Sequence, residues 1–420
     1  MLHLEEQRRL LEQLARQRDY ALQLTRELIR TPSPNPPGDE RAVANVIVRE
    51  LRSHGLEPQI IAKAPERPNV LVELGHKASG PRMVMNGHLD TKPPGPLDRW
   101  QTDPYMPVER EDHLFGLGAA DNKGQVAAMI SAAVALKSCD LPSSGSVLLA
   151  LSADEEEGSA FGIDFLLEEG LISADGGLVA EASGITTDWE RLAVVTNGFS
   201  GFTVRVFGTQ IHSSLANIVP TVNASTEMAY VMSSMQRDLK LRFPPHHLCP
   251  EGPRINVGVA VRGGVGFGII PGCAEFDAEV RSTPGMTRQS LEEDLNAFFE
   301  GLRQKRPALK LEWHFVDGPL GWNEGVNLSP EDPIFAAAQN AALQVLAHTM
   351  VPGSLPFGTD GASLARAGIT AIPAFGPGLV TMLHSPNENI SIEGIRQAAE
   401  IYALTALNYT SGQKCKSASR

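Results

Sequence analysis

Cysteine is scarce in these 420 residues, and the scarcity excludes most thiol chemistry. Cys139, Cys249, Cys273 and Cys415 are scattered with no Cys-x-x-Cys spacing, so a zinc-thiolate site is not expected. They read as reduced thiols of a cytoplasmic protein. No apolar stretch approaches the roughly 18 residues of a membrane span. Met1 to Arg9 is charged with no apolar run behind it, so no signal peptide is expected. Basic clusters are missing too, and the net charge is −13. That combination argues against nucleic acid and membrane surfaces as partners. A small anionic substrate stays admissible, because one local arginine overrides the global field. The length suits two domains, or one domain carrying an insertion.

What is present alternates between strand and helix. Residues 3–30 follow a helical period and predict one long amphipathic helix. The proline loop from Thr31 to Gly38 stops it. Glu40 to His54 predicts a second helix. Asn69–Leu74 and Arg82–Gly87 are strands, the second with the apolar run Met83-Val84-Met85 of a buried strand, and Ser146–Leu151 is a continuous apolar strand of the doubly covered kind, with a helix from Gln125 to Leu136 between the last two. This alternation predicts an α/β fold, a mixed sheet sandwiched by helices. From about residue 197 the texture changes. Strands at 202–207, 254–261, 273–281 and 309–316, with helices at 221–239 and 287–305, follow the β-α-β-β-α-β order of a ferredoxin-like α+β domain. An insertion at 197–317 within a first domain of 1–196 plus 318–420 accounts for both textures. Helices near 332–347 and 391–407 and a strand near 370–375 complete the first domain, and a polar tail runs from Ser411.

Acids and imidazoles recur where buried strands end. Gly87-His88-Leu89-Asp90-Thr91 closes one strand. Gly116-Leu117-Gly118-Ala119-Ala120-Asp121-Asn122-Lys123-Gly124 is a glycine-rich turn opening a helix. Asp154-Glu155-Glu156-Glu157-Gly158 follows the next strand, Glu181 another, and His384 the last. Taken singly, each reads as a surface histidine or a solvated acidic loop. Jointly they suit two divalent cations about 3.5–4 Å apart, which need one bridging carboxylate and a small ring of N/O ligands. Asp121 is the natural bridge. One cation would take His88 and Glu181, the other Glu156 and His384. A further carboxylate must carry the proton of the attacking water to the leaving nitrogen, and Glu155 suits that role. Asp90 would orient His88 through its other ring nitrogen.

These motifs, with His-x-Pro-x-Glu at 384–388, resemble the co-catalytic zinc aminoacylase and carboxypeptidase family, which includes acetylornithine deacetylase, succinyl-diaminopimelate desuccinylase, aminoacylase-1 and glutamate carboxypeptidase. The resemblance covers nearly the whole chain. It implies a hydrolase using two divalent metal ions, zinc first with manganese or cobalt as alternatives. It makes Glu155 the general base, and the insertion a lid that forms a homodimer. Gly208-Thr209-Gln210-Ile211-His212-Ser213 resembles the family's lid motif, whose histidine reaches the partner's site and binds the scissile carbonyl. Arg281 matches an arginine that grips a substrate carboxylate; the alternative is a salt bridge to Glu279 or Asp277. Gly376-Pro377-Gly378 presents backbone N–H groups to that carboxylate or is a plain turn. A cis peptide is expected at Asp121-Asn122. One departure stands out: the family usually has asparagine where this chain has Gly268, before Ile269-Ile270-Pro271. The implied substrate is a small carboxylate-bearing N-acyl amino acid or dipeptide. The alternatives are hydrolysis of another C–N bond (an amidine, carbamoyl or aryl amine) and a catalytically silent scaffold.

Overall fold

The structure is a computed structural model that describes residues 2–76 and 79–412. Cys415 and the tail beyond Gly412 lie outside those residues. The chain divides into two compact units, one of Met1–Val194, Asn327–Gly353 and Thr359–Arg420, the other of Val195–Val326 and Ser354–Gly358. In chain order the strands that matter are β1 (Gln59–Ala62), β2 (Pro68–Gly75), β3 (Arg82–His88), β4 (Ser146–Ser152) and β5 (Gly176–Val179). The second unit follows with β6 (Ser200–Phe207), β7 (Ile211–His212), β8 (Arg254–Gly263), β9 (Ile269–Ile270), β10 (Cys273–Arg281) and β11 (Lys310–Phe315). The chain then returns with β12 (Thr370–Ile372).

The first unit is built on a sheet in the order β1-β2-β4-β3-β5-β12. Its β4, β3, β5 and β12 run parallel, and β2 and β1 are added antiparallel. The sheet is therefore mixed, as the strand–helix alternation predicts. Every residue of β4 is buried, and β3 is buried from Met83 to His88, as strands covered on both faces require. On one face Val84, Leu148 and Val179 pack against Ile163, Leu166 and Leu364, which come from helices α5 (Ile163–Glu168) and α9 (Gly361–Arg366). Helices α4 (Gly124–Ser138), α8 (Pro333–Leu346) and α10 (Ile392–Thr410) pack against the sheet as well. Gly124 to Leu136 are all buried, so α4 is buried all round rather than amphipathic.

One expectation is corrected. The helix foreseen over 3–30 is two helices, α1 (Leu2–Arg16) and α2 (Tyr20–Ile29). Tertiary bonds outweigh the continuous period at the break. Gln17 donates to the carbonyl and hydroxyl of Ser131, Arg18 pairs with Glu393, and Asp19 pairs with Arg396. Helix α3 (Arg41–Ser53) forms as expected.

The second unit is an antiparallel sheet in the order β8-β10-β6-β11. This is the strand order that β-α-β-β-α-β connectivity produces in a ferredoxin-like fold. One face (Phe202, Val204, Val206, Phe276, Val280) is buried under α6 (Ala224–Asp238) and α7 (Arg288–Lys305) through Val231, Met235, Leu295 and Phe299. The alternate residues form a ladder of charge: Arg262 with Glu275 and Asp277, and Arg205 with Glu275 and Glu312. That alternation is the wet face of an antiparallel sheet. Strand β8 lies at the edge, with Val259 and Val261 exposed, and beyond it Phe267 stands fully in solvent.

Candidate metal centre

Strands β4, β3 and β5 are neighbours and parallel, so their C-terminal ends open at one edge of the sheet, where such folds place their sites. His88 is the last residue of β3, in register with Ser152 at the end of β4. Asp154 leaves β4 in the left-handed region, at φ 67°, and turns the chain into Glu155 and Glu156. Glu181 stands two residues beyond β5. Asp121 sits in the turn before α4, whose entry is Gly118 at φ 80°, a conformation that suits glycine. The Asp121-Asn122 peptide is cis.

These side chains converge. His88 Nε2 lies 3.1 Å from Asp121 Oδ1 and 3.2 Å from Glu181 Oε1. His384 Nε2 lies 3.0 Å from Asp121 Oδ2 and 3.0 Å from Glu156 Oε2. The two oxygens of Asp121 thus face different imidazoles. Glu155 joins His88 and Glu181 in a second cluster whose ligand atoms lie within 4.8 Å of one another.

Electrostatics shows what this arrangement needs. His88 Nδ1 is 3.0 Å from the main-chain oxygen of Asp90. A carbonyl only accepts, so Nδ1 carries the hydrogen and Nε2 turns a lone pair toward carboxylate oxygens. Lone pairs facing lone pairs require a positive charge between them. With protons alone, burial pulls the His88 imidazolium down, yet Asp121, Asp90 and Glu181 outweigh it and hold it well above the usual histidine range. Asp121 and Glu156 push His384 up to about 11. Burial and the charge of Asp121 push Glu181 up to about 7. Burial, with Glu181, Asp360 and Glu156 nearby, pushes Glu155 well above the carboxylate range. Two imidazoles and the three acids Asp121, Glu156 and Glu181 are a donor set of hard and borderline divalent cations, and the residues fit a pair of them.

The remaining expected residues stand as follows. Asp90 is buried. Its main-chain oxygen is nearer to His88 Nδ1 than its carboxylate, which lies 3.5 Å away. Its carboxylate also accepts the N–H groups of Glu155 and Glu156, both at 3.2 Å. Gly376 lies against Glu181: a Cβ there would meet the Glu181 carbonyl oxygen at 2.8 Å and Tyr402 Oη at 2.8 Å. The N–H of Gly378 is taken by Asp188 at 2.8 Å. His212 and Arg281 belong to the second unit. His212 is exposed, and its Nδ1 accepts the N–H of Ser214 at 3.2 Å, so Nε2 carries the hydrogen. The Arg281 guanidinium lies 4.8 Å from the centre of the Phe199 ring and 3.8 Å from Glu279.

Sequence reasoning assigned no role to two residues that hold the site. Glu388 accepts the N–H groups of Gly118, Ala120 and Asp121 at 3.0, 2.8 and 2.9 Å. Burial pushes its carboxyl up to about 8 against the pull of those bonds. Its place in the 384–388 motif was the available signal. Asn35 reaches Asp90 from the proline loop at 2.9 Å, and no pattern announced that.

Residues 84–408 match the family described as Peptidase family M20/M25/M40. The succinyl-diaminopimelate desuccinylase of Bordetella petrii is 28% identical over 402 residues, 92% of this chain and 97% of that protein. Among solved structures, the di-peptidase Dug1p from Saccharomyces cerevisiae superposes with a TM-score of 0.74 at 15% identity, covering 99% of this chain and 100% of the other. The YXEP protein of Bacillus subtilis, titled a dinuclear metal binding peptidase, superposes with a TM-score of 0.70 at 16% identity over 94% of this chain and 98% of its own.

Proposed function

The chain belongs to the M20/M25/M40 peptidase family, and from that premise we propose that it hydrolyses the amide bond of a small N-acyl amino acid or dipeptide-like substrate. The observation that carries the reading is the meeting of His88, His384, Glu156 and Glu181 around the two oxygens of Asp121. Two divalent cations held there would act as Lewis acids on a carbonyl and acidify a water. Zinc is the first candidate, with manganese and cobalt as alternatives.

The protein's own groups do the rest. Glu155 is half-buried beside the cluster without being one of the four groups around Asp121. It would accept the proton of the attacking water and hand it to the leaving nitrogen. Asp90 holds Glu155 and Glu156 by their backbones. His212 carries its hydrogen on Nε2 and is exposed, which suits a donor to the carbonyl oxygen in the site of a second copy. Arg281, stacked on Phe199, has the fork that suits a substrate carboxylate. The inserted unit would serve as lid and dimer contact, since edge strand β8 exposes Val259 and Val261. The three described cysteines are free, which fits a reducing compartment such as the cytoplasm. The non-peptide C–N alternative is not favoured, because the relative and the solved structures described above are a desuccinylase and peptidases. A silent scaffold is disfavoured because the base and every acid of the cluster are present.

Glu155→Ala should lower turnover of an N-acyl amino acid by about 10²–10⁴-fold while zinc content per chain stays unchanged. Near-normal kcat would remove Glu155 from its role.

A further inference from the structure

We propose that Asn35 is a positioning residue of the cation centre, resting on the reading above: its amide splints Asp90 to Asp154 and so holds the turn that carries Glu155 and Glu156. Asn35 is buried. Its Nδ2 donates to Asp90 Oδ2 at 2.9 Å and to Asp154 Oδ1 at 3.0 Å. An amide nitrogen has two hydrogens, one for each acid, and adds no charge between them. The two acids grip the same turn from either side. Asp90 accepts the N–H groups of Glu155 and Glu156. Asp154 begins the turn in its left-handed conformation and is tied to Arg67 at 2.9 Å and to the N–H of Phe161 at 3.1 Å. Without Asn35, two buried carboxylates would face one another across a gap.

The loop that brings Asn35 is itself sewn to the end of β3. Thr91 N–H donates to the Ser33 carbonyl at 3.0 Å, Asn35 N–H to the Thr91 carbonyl at 2.8 Å, and Ser33 Oγ to the Leu89 carbonyl at 2.7 Å. The segment that reads in sequence as a helix stop therefore closes the back of the site. It lies before residue 84, where the family match begins.

The test compares the full chain with Asn35→Leu, which keeps the branched shape and removes both donors, and Asn35→Ser, which keeps one. Zinc affinity is measured by competition with a chromophoric chelator, kcat and KM on an N-acyl amino acid at saturating zinc, and the thermal midpoint alongside. The expected result is zinc affinity weaker by about 10–100-fold in Asn35→Leu, kcat lowered with KM little changed, and Asn35→Ser in between. Should Asn35→Leu not fold, Asn35→Ser decides. Variants that bind zinc and turn over within twofold of the parent, or whose loss disappears on correction for the folded fraction, overturn the proposal. A parent chain that binds no zinc defeats the metal reading and this inference together. A parent that binds zinc but cleaves no amide defeats the reaction alone and leaves the affinity comparison standing.

Discussion

The 3.0 Å between His88 Nδ1 and the Asp90 carbonyl decides which face of one ring meets the acids. From that follows a dependence on pH. Protons and cations compete for the same lone pairs, and loading must displace protons from His384, pushed up to about 11 by Asp121 and Glu156, and from Glu181, pushed up to about 7 by burial. Cation affinity should therefore rise with pH across the interval around 7, where Glu181 sheds its proton. Chelator competition at pH 6, 7 and 8 checks it, and a flat or falling profile contradicts it. At this scale the residue types of the centre were legible, because imidazole and carboxylate are the side chains that hold such cations where cysteine spacing offers no thiolate site. Asn35 was not, since an asparagine in a proline loop looks like a surface residue until the chain folds, and Glu388 was marked only by its place in the 384–388 motif.

Among the elements, the turn before α4 depends on a residue far away in sequence. Glu388 Oε1 takes the N–H groups of Ala120 and Asp121, and Oε2 takes that of Gly118. In Glu388→Gln one of these positions becomes an NH₂ facing an N–H. Leaving buried donors unpaired costs about 1–3 kcal/mol, so the urea midpoint should fall, and zinc affinity with it, because Asp121 is anchored by the same bonds. An unchanged midpoint would mean that the turn stands without its anchor. Strand and helix types were legible from period because the buried strands are continuous apolar runs and the strands of the second unit alternate. The break between α1 and α2 was not, for its causes are Ser131, Glu393 and Arg396. The two-residue strands β7 and β9, paired at His212 and Ile269, are too short for any period to mark.

For the whole molecule, the proposed function has His212 of one copy acting in the site of another. Mixing His212→Ala with Glu155→Ala chains then has a definite outcome. Each mutant alone is nearly inactive. A mixed dimer has one site with neither defect, and random reassortment restores about a quarter of the parent activity. No recovery would mean that His212 does not act across copies. An aspartate in place of Val261 on edge strand β8 should shift light scattering toward the monomer and lower activity with it. Neither outcome was readable from composition, since the exposed valines of β8 show as an edge only once the strand order is known.

By itself the sequence determined the chemistry and the class of architecture: acids and imidazoles at strand ends, a mixed sheet between helices, an α+β insertion. Those follow from local rules, residue type and period, that operate within a few residues. Tertiary structure alone decided which oxygen meets which nitrogen, that Glu388 anchors the Asp121 turn, and that the proline loop lends Asn35 to Asp90. Such contacts join residues tens to hundreds of positions apart, and their geometry exists only after the core has packed.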